Sequence, residues 1–293
     1  MRLSVAQFDY LAFTRAHWLG NCTRAGMATS ETNARPLAVV TGASSGIGYE
    51  LAKELARRGY DLVVAAEDAE IHPAAREIAE LGTNVTPVQV DLATYDGVEN
   101  FYRTFTASGI PVDVIAINAG VGVGGDFARD TDLEAELNLI ALNVTSAVHL
   151  AKRVLHDMVP RNQGRILFTS SIAATAPSPF EAVYGASKAF VFSFAEAIRN
   201  ELKDTAITIT ALMPGPTETN FFHRADMDNT TVGQSDSKDE AAEVAKEGID
   251  ALLAGKDRVV AGSFTNKIFA TAGRIAPTAA AQLHRKQAEP KSA

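Results

Sequence analysis

The sequence predicts an α/β fold: a three-layer, doubly wound parallel sheet of about seven strands, with helices on both faces. Three observations predict it. From residue 37 onward, short β-branched runs alternate with longer segments of helical periodicity. The strand runs are apolar almost throughout, as in strands buried on both sides, instead of alternating with polar residues. The first run passes straight into a glycine-rich turn and a helix, the connection that opens a βαβ unit.

Taken in order, PLAVVTG (36–42) is a buried-strand pattern and GYELAKELARRG (48–59) is a helix stopped by glycine. YDLVVAAED (60–68) is a second strand, PAAREIAELG (73–82) a helix, NVTPVQVDL (84–92) a third strand and YDGVENFYRTFTASG (95–109) a helix. VDVIAINAG (112–120) is a fourth strand, followed by a long helical stretch over 133–159. GRILFTSSIAA (164–174), a long helix over 183–204 and AITITALMPG (206–215) continue the alternation. Residues 216–238 break it: they are polar with scattered aromatics, too long for an ordinary connection, and read as a lid or binding loop. A helix at 239–254 and the strand DRVVAG (257–262) complete a catalytic domain over 37–264. Residues 265–293 read as a C-terminal tail, with packing on the sheet favoured over a pocket cap or a partner surface. Residues 1–36 are expected to form a mobile extension, the functional chain starting near Met27.

The 293 residues are 46% hydrophobic and 21% charged, which is ordinary globular usage. A chain of this size buries most of its unfolded surface without disulfide or metal staples. The net charge of −8 argues against a nucleic-acid footprint. It leaves room for an anionic cofactor held by backbone amides. The single cysteine, Cys22, makes no intrachain disulfide, which fits a reducing, cytoplasmic compartment. The sequence has no uninterrupted apolar run of about 18 residues, so no membrane span is expected, and the N-terminus lacks the apolar core of a secretory signal.

Two short stretches carry chemistry. The first strand ends in Thr41-Gly-Ala-Ser-Ser-Gly-Ile-Gly48. Gly42, Gly46 and Gly48, between strand and helix, allow a tight turn and a close approach of backbone to a diphosphate, with Ser44 and Ser45 adding hydroxyl donors. Later, Tyr184-Gly-Ala-Ser-Lys188 places a phenol and an ammonium one helical turn apart. A phenol with pKa about 10 is a poor base at neutral pH, and a neighbouring cation favours its ionised form. Alone, such a pair is common on a solvated helix surface; beside the glycine turn it reads as a site.

Together these stretches resemble the short-chain dehydrogenase/reductase family, in the single-domain subfamily marked by TGxxxGxG and YxxxK, over about residues 37–262. The resemblance implies a Rossmann fold and hydride transfer between a nicotinamide cofactor and an alcohol or carbonyl. It implies Tyr184 as general acid/base, Lys188 as its cationic neighbour and a ligand of the nicotinamide ribose, and Ser171, thirteen residues upstream, as holder of the substrate oxygen. Asn143 would position a proton-relay water. Around the cofactor it implies Gly42, Ser44, Ser45, Gly46, Ile47 and Gly48 at the diphosphate, and Asp91 and Leu92 at the adenine. Asn118, Ala119 and Gly120 would line the adenosine ribose side, with Pro214, Gly215, Thr217 and Thr219 near the carboxamide and phosphate. NAD is favoured, because Ala65-Ala66-Glu67-Asp68 offers carboxylates for a ribose diol and no arginine for a 2′-phosphate. Glu67 is the preferred ligand and Asp68 the second. NADP remains possible, since Ala66 stands where relatives carry an aspartate and Arg58 could reach a phosphate from the preceding helix.

His72, His149, His156, His223 and His284 show no metal-ligand spacing. GVGVGGDF (120–127) is expected to line the substrate cleft, and Phe127, Phe180, Phe221 and Phe222 either wall it or belong to the core. The helical stretches 133–159 and 183–204 are apolar on more than one face. The resemblance makes them a dimer interface, so a homodimer or homotetramer is expected. The substrate is expected to be an uncharged, fairly apolar alcohol or ketone. A cofactor-binding regulator without turnover, an NADP-dependent ketone reductase and an isomerase or lyase on the same fold are the competing readings.

Overall fold

The computed structural model describes residues 35–291. The extension expected over 1–36, with its start near Met27, lies outside the described residues apart from Arg35 and Pro36, which lead directly into the first strand. Seven strands follow: β1 (Leu37–Thr41), β2 (Asp61–Ala66), β3 (Val85–Gln89), β4 (Val112–Ile117), β5 (Gly164–Thr169), β6 (Ile207–Pro214) and β7 (Arg258–Ala261). They form one parallel sheet in the order β3-β2-β1-β4-β5-β6-β7. The chain winds outward from β1 in one direction and from β4 in the other. Between those two strands the connections part, which opens a crevice at the carboxyl ends of the sheet. Pro87, which has no N–H to give a ladder, sits in the edge strand β3.

Alternate residues of β1 enter opposite layers. Leu37 and Val39 pack with Phe101, Leu150, Met158, Phe168 and Val191, from α3 (Tyr95–Thr106), α5 (Ser146–Arg161), β5 and α6 (Ala182–Glu201). Ala38 and Val40 pack with Leu51, Leu55, Ile78, Val244 and Ile249, from α1 (Gly46–Arg57), α2 (Ile71–Ala79) and α8 (Ala241–Leu253). Each fully buried Leu, Ile or Phe in these layers contributes roughly 1.5–3 kcal/mol relative to exposure. This is the expected three-layer α/β fold.

Three elements differ from expectation. The long helix over 133–159 is broken into α4 (Leu133–Ile140), a π-helical turn (Ala141–Thr145) and α5. The wider turn carries Asn143, which is buried, and such turns recur at functional sites. The fifth strand stops at Thr169, not 174, because Ser171 accepts a hydrogen bond from the Ala173 N–H at 3.1 Å and starts the 3-10 turn Ile172–Thr175. The C-terminal tail is helical, as α9 (Phe264–Ile275) and α10 (Pro277–Ala288), with Pro277 at a first-turn position that needs no N–H partner.

Within that tail, α9 packs on β7, where Asn266 Nδ2 donates to the Ala261 carbonyl at 3.2 Å, and the tail also reaches the crevice. It joins the loop after β6, which contains the short helix α7 (Phe221–Arg224). The Val232 N–H donates to the Gln287 carbonyl, and the Lys291 N–H to the Asn229 carbonyl, both at 3.0 Å. Phe222, Ala225 and Met227 bury against Ala288. Loop and tail together close one end of the crevice.

Candidate active site

The crevice is a cleft of about 510 Å³, within the range of small-molecule sites. All the site residues expected from the sequence line it except Asp91 and Asn143.

At one end is the glycine turn. Gly42 and Gly46 have φ of +68° and +58°, which favour glycine. A Cβ on Gly48 would lie 2.0 Å from the Gly42 carbonyl oxygen. Ser45 caps α1 without a side-chain hydrogen bond, and the first turn holds no acidic residue. The open N–H groups of this twelve-residue helix fit an anion such as a diphosphate. Behind the turn, Thr41 Oγ1 accepts from the Asn118 and Ala119 N–H groups at 2.9 Å. Asn118 Nδ2 donates to the Thr41 carbonyl at 3.1 Å, and Thr169 Oγ1 donates to Asn118 Oδ1 at 2.9 Å. Asn118 thus straps β1, β4 and β5 together beneath the cleft.

At the end of β2, Glu67 and Asp68 both line the cleft. Ser44 Oγ donates to Asp68 Oδ2 at 3.0 Å, while Asp68 Oδ1 is buried without a partner. Asp91, in the loop after β3, is exposed, and its Oδ1 accepts from the Ala93 N–H at 2.8 Å, closing a local turn. Its neighbours Val90 and Leu92 line the cleft.

At the other end stand Ser171, Tyr184 and Lys188. Tyr184 lies on the first turn of α6, with its side chain beside that of Ser171 in the wall of the cleft. Its ring sits 5.1 Å from that of Phe221 on the loop. Lys188 Nζ donates to the Thr169 carbonyl at 3.0 Å and lies 5.7 Å from the Tyr184 ring centre. Burial lowers the Lys188 ammonium to about 8. Burial raises the Tyr184 phenol above its ordinary value, the Glu181 carboxylate raises it further, and the Ser171 hydrogen bond acts the other way. In this arrangement the Lys188 ammonium is directed to the Thr169 carbonyl, and the surroundings of the phenol favour its protonated form. Asn143 lies behind this wall. Its Oδ1 accepts from the Val121 N–H and its Nδ2 donates to the Val121 carbonyl, both at 2.9 Å, with a further bond to Ser187 Oγ at 3.1 Å. It fixes the segment after β4 that carries Gly120 against Lys188; a Cβ on Gly120 would lie 2.9 Å from Asn143 Oδ1 and 3.1 Å from Lys188 Nζ.

The short chain dehydrogenase family profile matches residues 36–230. The chain belongs to the short-chain dehydrogenase family. It is an oxidoreductase of that family with a Rossmann fold. An uncharacterized oxidoreductase of Myxococcus xanthus is 37% identical over 179 residues, covering 61% of this chain and 70% of the relative. A probable NADP-dependent dehydrogenase of Haemophilus influenzae is 34% identical over 182 residues, covering 61% of this chain and 70% of the relative. Among solved structures, a short-chain dehydrogenase from Sphingobium yanoikuyae in complex with NADPH superposes with a TM-score of 0.73 at 27% identity, over 88% of this chain and 98% of that one.

This short-chain dehydrogenase brings further residues to the cleft that the sequence did not mark. Glu181 and His284 line its substrate end, with Nε2 and Oε2 3.0 Å apart and both side chains largely buried. Asn266, from α9, donates to Asp239 Oδ2 at 2.6 Å and packs against Gly215. Arg224 enters from α7. Of the four phenylalanines weighed for the pocket, Phe221 and Phe222 line it. Phe180 supports them in the loop cluster, and Phe127 lies outside, in an apolar groove with Ile140, Val183 and Phe190. Gly120, Val121 and Gly122 are the part of the second glycine-rich stretch that reaches the cleft. Among the described residues, no group of three or more His, Cys, Asp or Glu is placed to hold a metal ion, and no helix is long and apolar enough to cross a membrane.

Proposed function

We propose that this chain interconverts an alcohol and a carbonyl with a nicotinamide cofactor, Tyr184 being the group that gives and takes the proton. The observation that carries this reading is the meeting of Ser171, Tyr184 and Lys188 on one wall of a cleft whose opposite end is a glycine-lined helix N-terminus. A cofactor bound there supplies or accepts the hydride. The protein supplies position and proton. The Ser171 hydroxyl, beside the Tyr184 side chain, holds the substrate oxygen and stabilises charge that builds on it. In reduction, the protonated phenol is the form the site favours, and it donates as charge develops. In oxidation, the phenol must first lose its proton. Lys188, buried 5.7 Å from the ring centre, is the nearest cation of the cleft for that step. Asn143 keeps the Gly120–Val121 backbone in place beside Lys188.

The carboxylates of Glu67 and Asp68 suit a ribose diol, as NAD presents. The relative from Haemophilus influenzae is NADP-dependent by description, and the Sphingobium yanoikuyae enzyme holds NADPH. The cofactor is therefore proposed as NAD or NADP, without the preference for NAD that the β2 carboxylates alone suggested. Phe221, Phe222, Val232 and Phe269 make the substrate end apolar, which supports an uncharged alcohol or ketone with one polar group facing Glu181 and His284. The apolar groove formed by Phe127 in the loop before α4, Ile140 on α4, and Val183 and Phe190 on α6 supports a homodimer or homotetramer. A cytoplasmic enzyme is the compartment that a single cysteine fits.

Calorimetric titration with NADH and NADPH, followed by a screen of alcohols and ketones at about 340 nm, the nicotinamide absorbance, tests the reading. Binding of at least one cofactor and its stoichiometric consumption are expected. Binding without consumption across the screen would favour a regulator, and turnover without net consumption an isomerase or lyase.

A further inference from the structure

We propose that Arg224 is the residue through which this site holds a 2′-phosphate on the adenosine ribose, so that the chain binds NADPH as well as NADH. The inference rests on the reading of the cleft as a nicotinamide-cofactor site. The sequence at the usual positions argues the other way. The glycine turn offers Ser44 and Ser45, and the end of β2 offers Glu67 and Asp68, with no cation in either segment. Arg58, at the end of α1, is engaged elsewhere. Its Nη2 bonds Glu54 Oε1 at 2.8 Å and Asp250 Oδ1 at 2.5 Å, and it does not line the cleft.

The cation arrives from a distant segment. Arg224 closes α7 in the loop after β6, and its Nη2 lies 3.5 Å from Ser45 Oγ and 3.8 Å from Asp68 Oδ2. Among the described residues, Lys188 and Arg224 are the only lysine or arginine side chains lining the cleft, and Lys188 is committed at the far end to Thr169. One corner therefore gathers a guanidinium, the hydroxyls of Ser44 and Ser45, and a carboxylate whose Oδ1 is buried without a partner. That is a complete set for either form of the ribose. A diol meets the carboxylates of Glu67 and Asp68, both of which line the cleft. A phosphate meets the guanidinium fork and the Ser45 hydroxyl, and charge-assisted bonds of this kind are where arginine binds phosphate most strongly.

The present partner of Arg224 does not hold it back. At 3.8 Å the Arg224–Asp68 contact is an ion pair without a hydrogen bond, and the arginine side chain is half exposed. Such pairs contribute little. Moving the guanidinium onto a phosphate replaces a weak contact with a strong one. It also places a positive charge between the phosphate and Asp68, which would otherwise repel each other.

Fluorescence or calorimetric titration of NADPH and NADH against the wild type, R224Q, R224K and D68N tests this without any substrate. The wild type should bind both cofactors. R224Q should weaken NADPH by at least about tenfold, the loss of one charge-assisted phosphate contact, and leave NADH within about threefold. R224K should retain part of the NADPH affinity, and D68N should tighten NADPH while weakening NADH. Equal effects of R224Q on both cofactors, no effect on either, or a wild type that binds NADH but not NADPH would overturn the assignment. A wild type that binds neither cofactor would overturn the reading of the cleft itself. Arg224 is half exposed, so R224Q is expected to fold, and an unchanged circular dichroism spectrum checks it.

Discussion

Replacing Lys188 with methionine should make the cofactor-free protein more stable at neutral pH while destroying turnover. Burial lowers the Lys188 ammonium from 10.5 to about 8. At ~1.4 kcal/mol for each tenfold change, that fall corresponds to roughly 3 kcal/mol. The direction follows from proton counting. Below about pH 8 the folded chain carries a buried ammonium that the unfolded chain carries in water, so folding bears the full penalty. Between about 8 and 10.5 the unfolded chain binds a proton that the folded chain does not, so stability contributed by this group rises with pH. Methionine fills a similar volume without the charge. It loses the 3.0 Å bond to the Thr169 carbonyl, worth roughly 1 kcal/mol. The net expectation is about 2 kcal/mol in favour of K188M at pH 7, the difference of the two terms. Urea unfolding at a series of pH values measures it. Tyr49 and Tyr102, both pushed up to about 12, make stability fall at more alkaline pH in both proteins. The wild-type minus variant difference removes that contribution. The difference should close as pH rises from 8 toward 10.5. A variant less stable than wild type at pH 7, or a difference that does not change with pH, would refute the reasoning.

Three further outcomes follow from the same geometry. Gly48→Ala forces a Cβ to within 2.0 Å of the Gly42 carbonyl oxygen, so the turn must shift. Calorimetry should show the affinity for either cofactor falling by at least about tenfold, since the amides no longer converge on one anion. Asn143→Ala leaves the Val121 N–H and carbonyl without their side-chain partners. It should lower stability by roughly 2–4 kcal/mol, read from the urea midpoint. Glu181→Gln removes a negative charge that holds the Tyr184 phenol up. The phenolate then forms at lower pH, and the kcat/KM profile for alcohol oxidation should move to lower pH; an unmoved profile would show that Glu181 does not act on Tyr184.

Much of the fold was legible because a strand buried on both faces is written as an unbroken apolar run, as in Leu37–Thr41 and Val112–Ile117. The glycine turn and the Tyr184–Lys188 pair were legible because their partners lie within a few residues. What the sequence hid depends on contacts between distant segments. The π-helical turn at Asn143 has the apolar spacing of a continuous helix, and only the bonds to Val121 distinguish it. The local turn in which Asp91 Oδ1 accepts from the Ala93 N–H is likewise not marked by the strand pattern. Glu181 and His284 meet at 3.0 Å across the domain, and no local pattern announces such a meeting. Arg224 reaches Ser45 from a segment 179 positions along the chain. The loop 216–238 was readable as a lid from its length and aromatics, but not the α10 segment that packs against it.

Tyr184→Phe tests the central claim most directly, because it removes one hydroxyl from the wall of the cleft. Cofactor titration and turnover should be measured on the same preparation. An unchanged dissociation constant, with turnover reduced by about a thousandfold or more, is the result expected when the phenol oxygen moves the proton. Turnover that survives the loss of that oxygen would contradict the account.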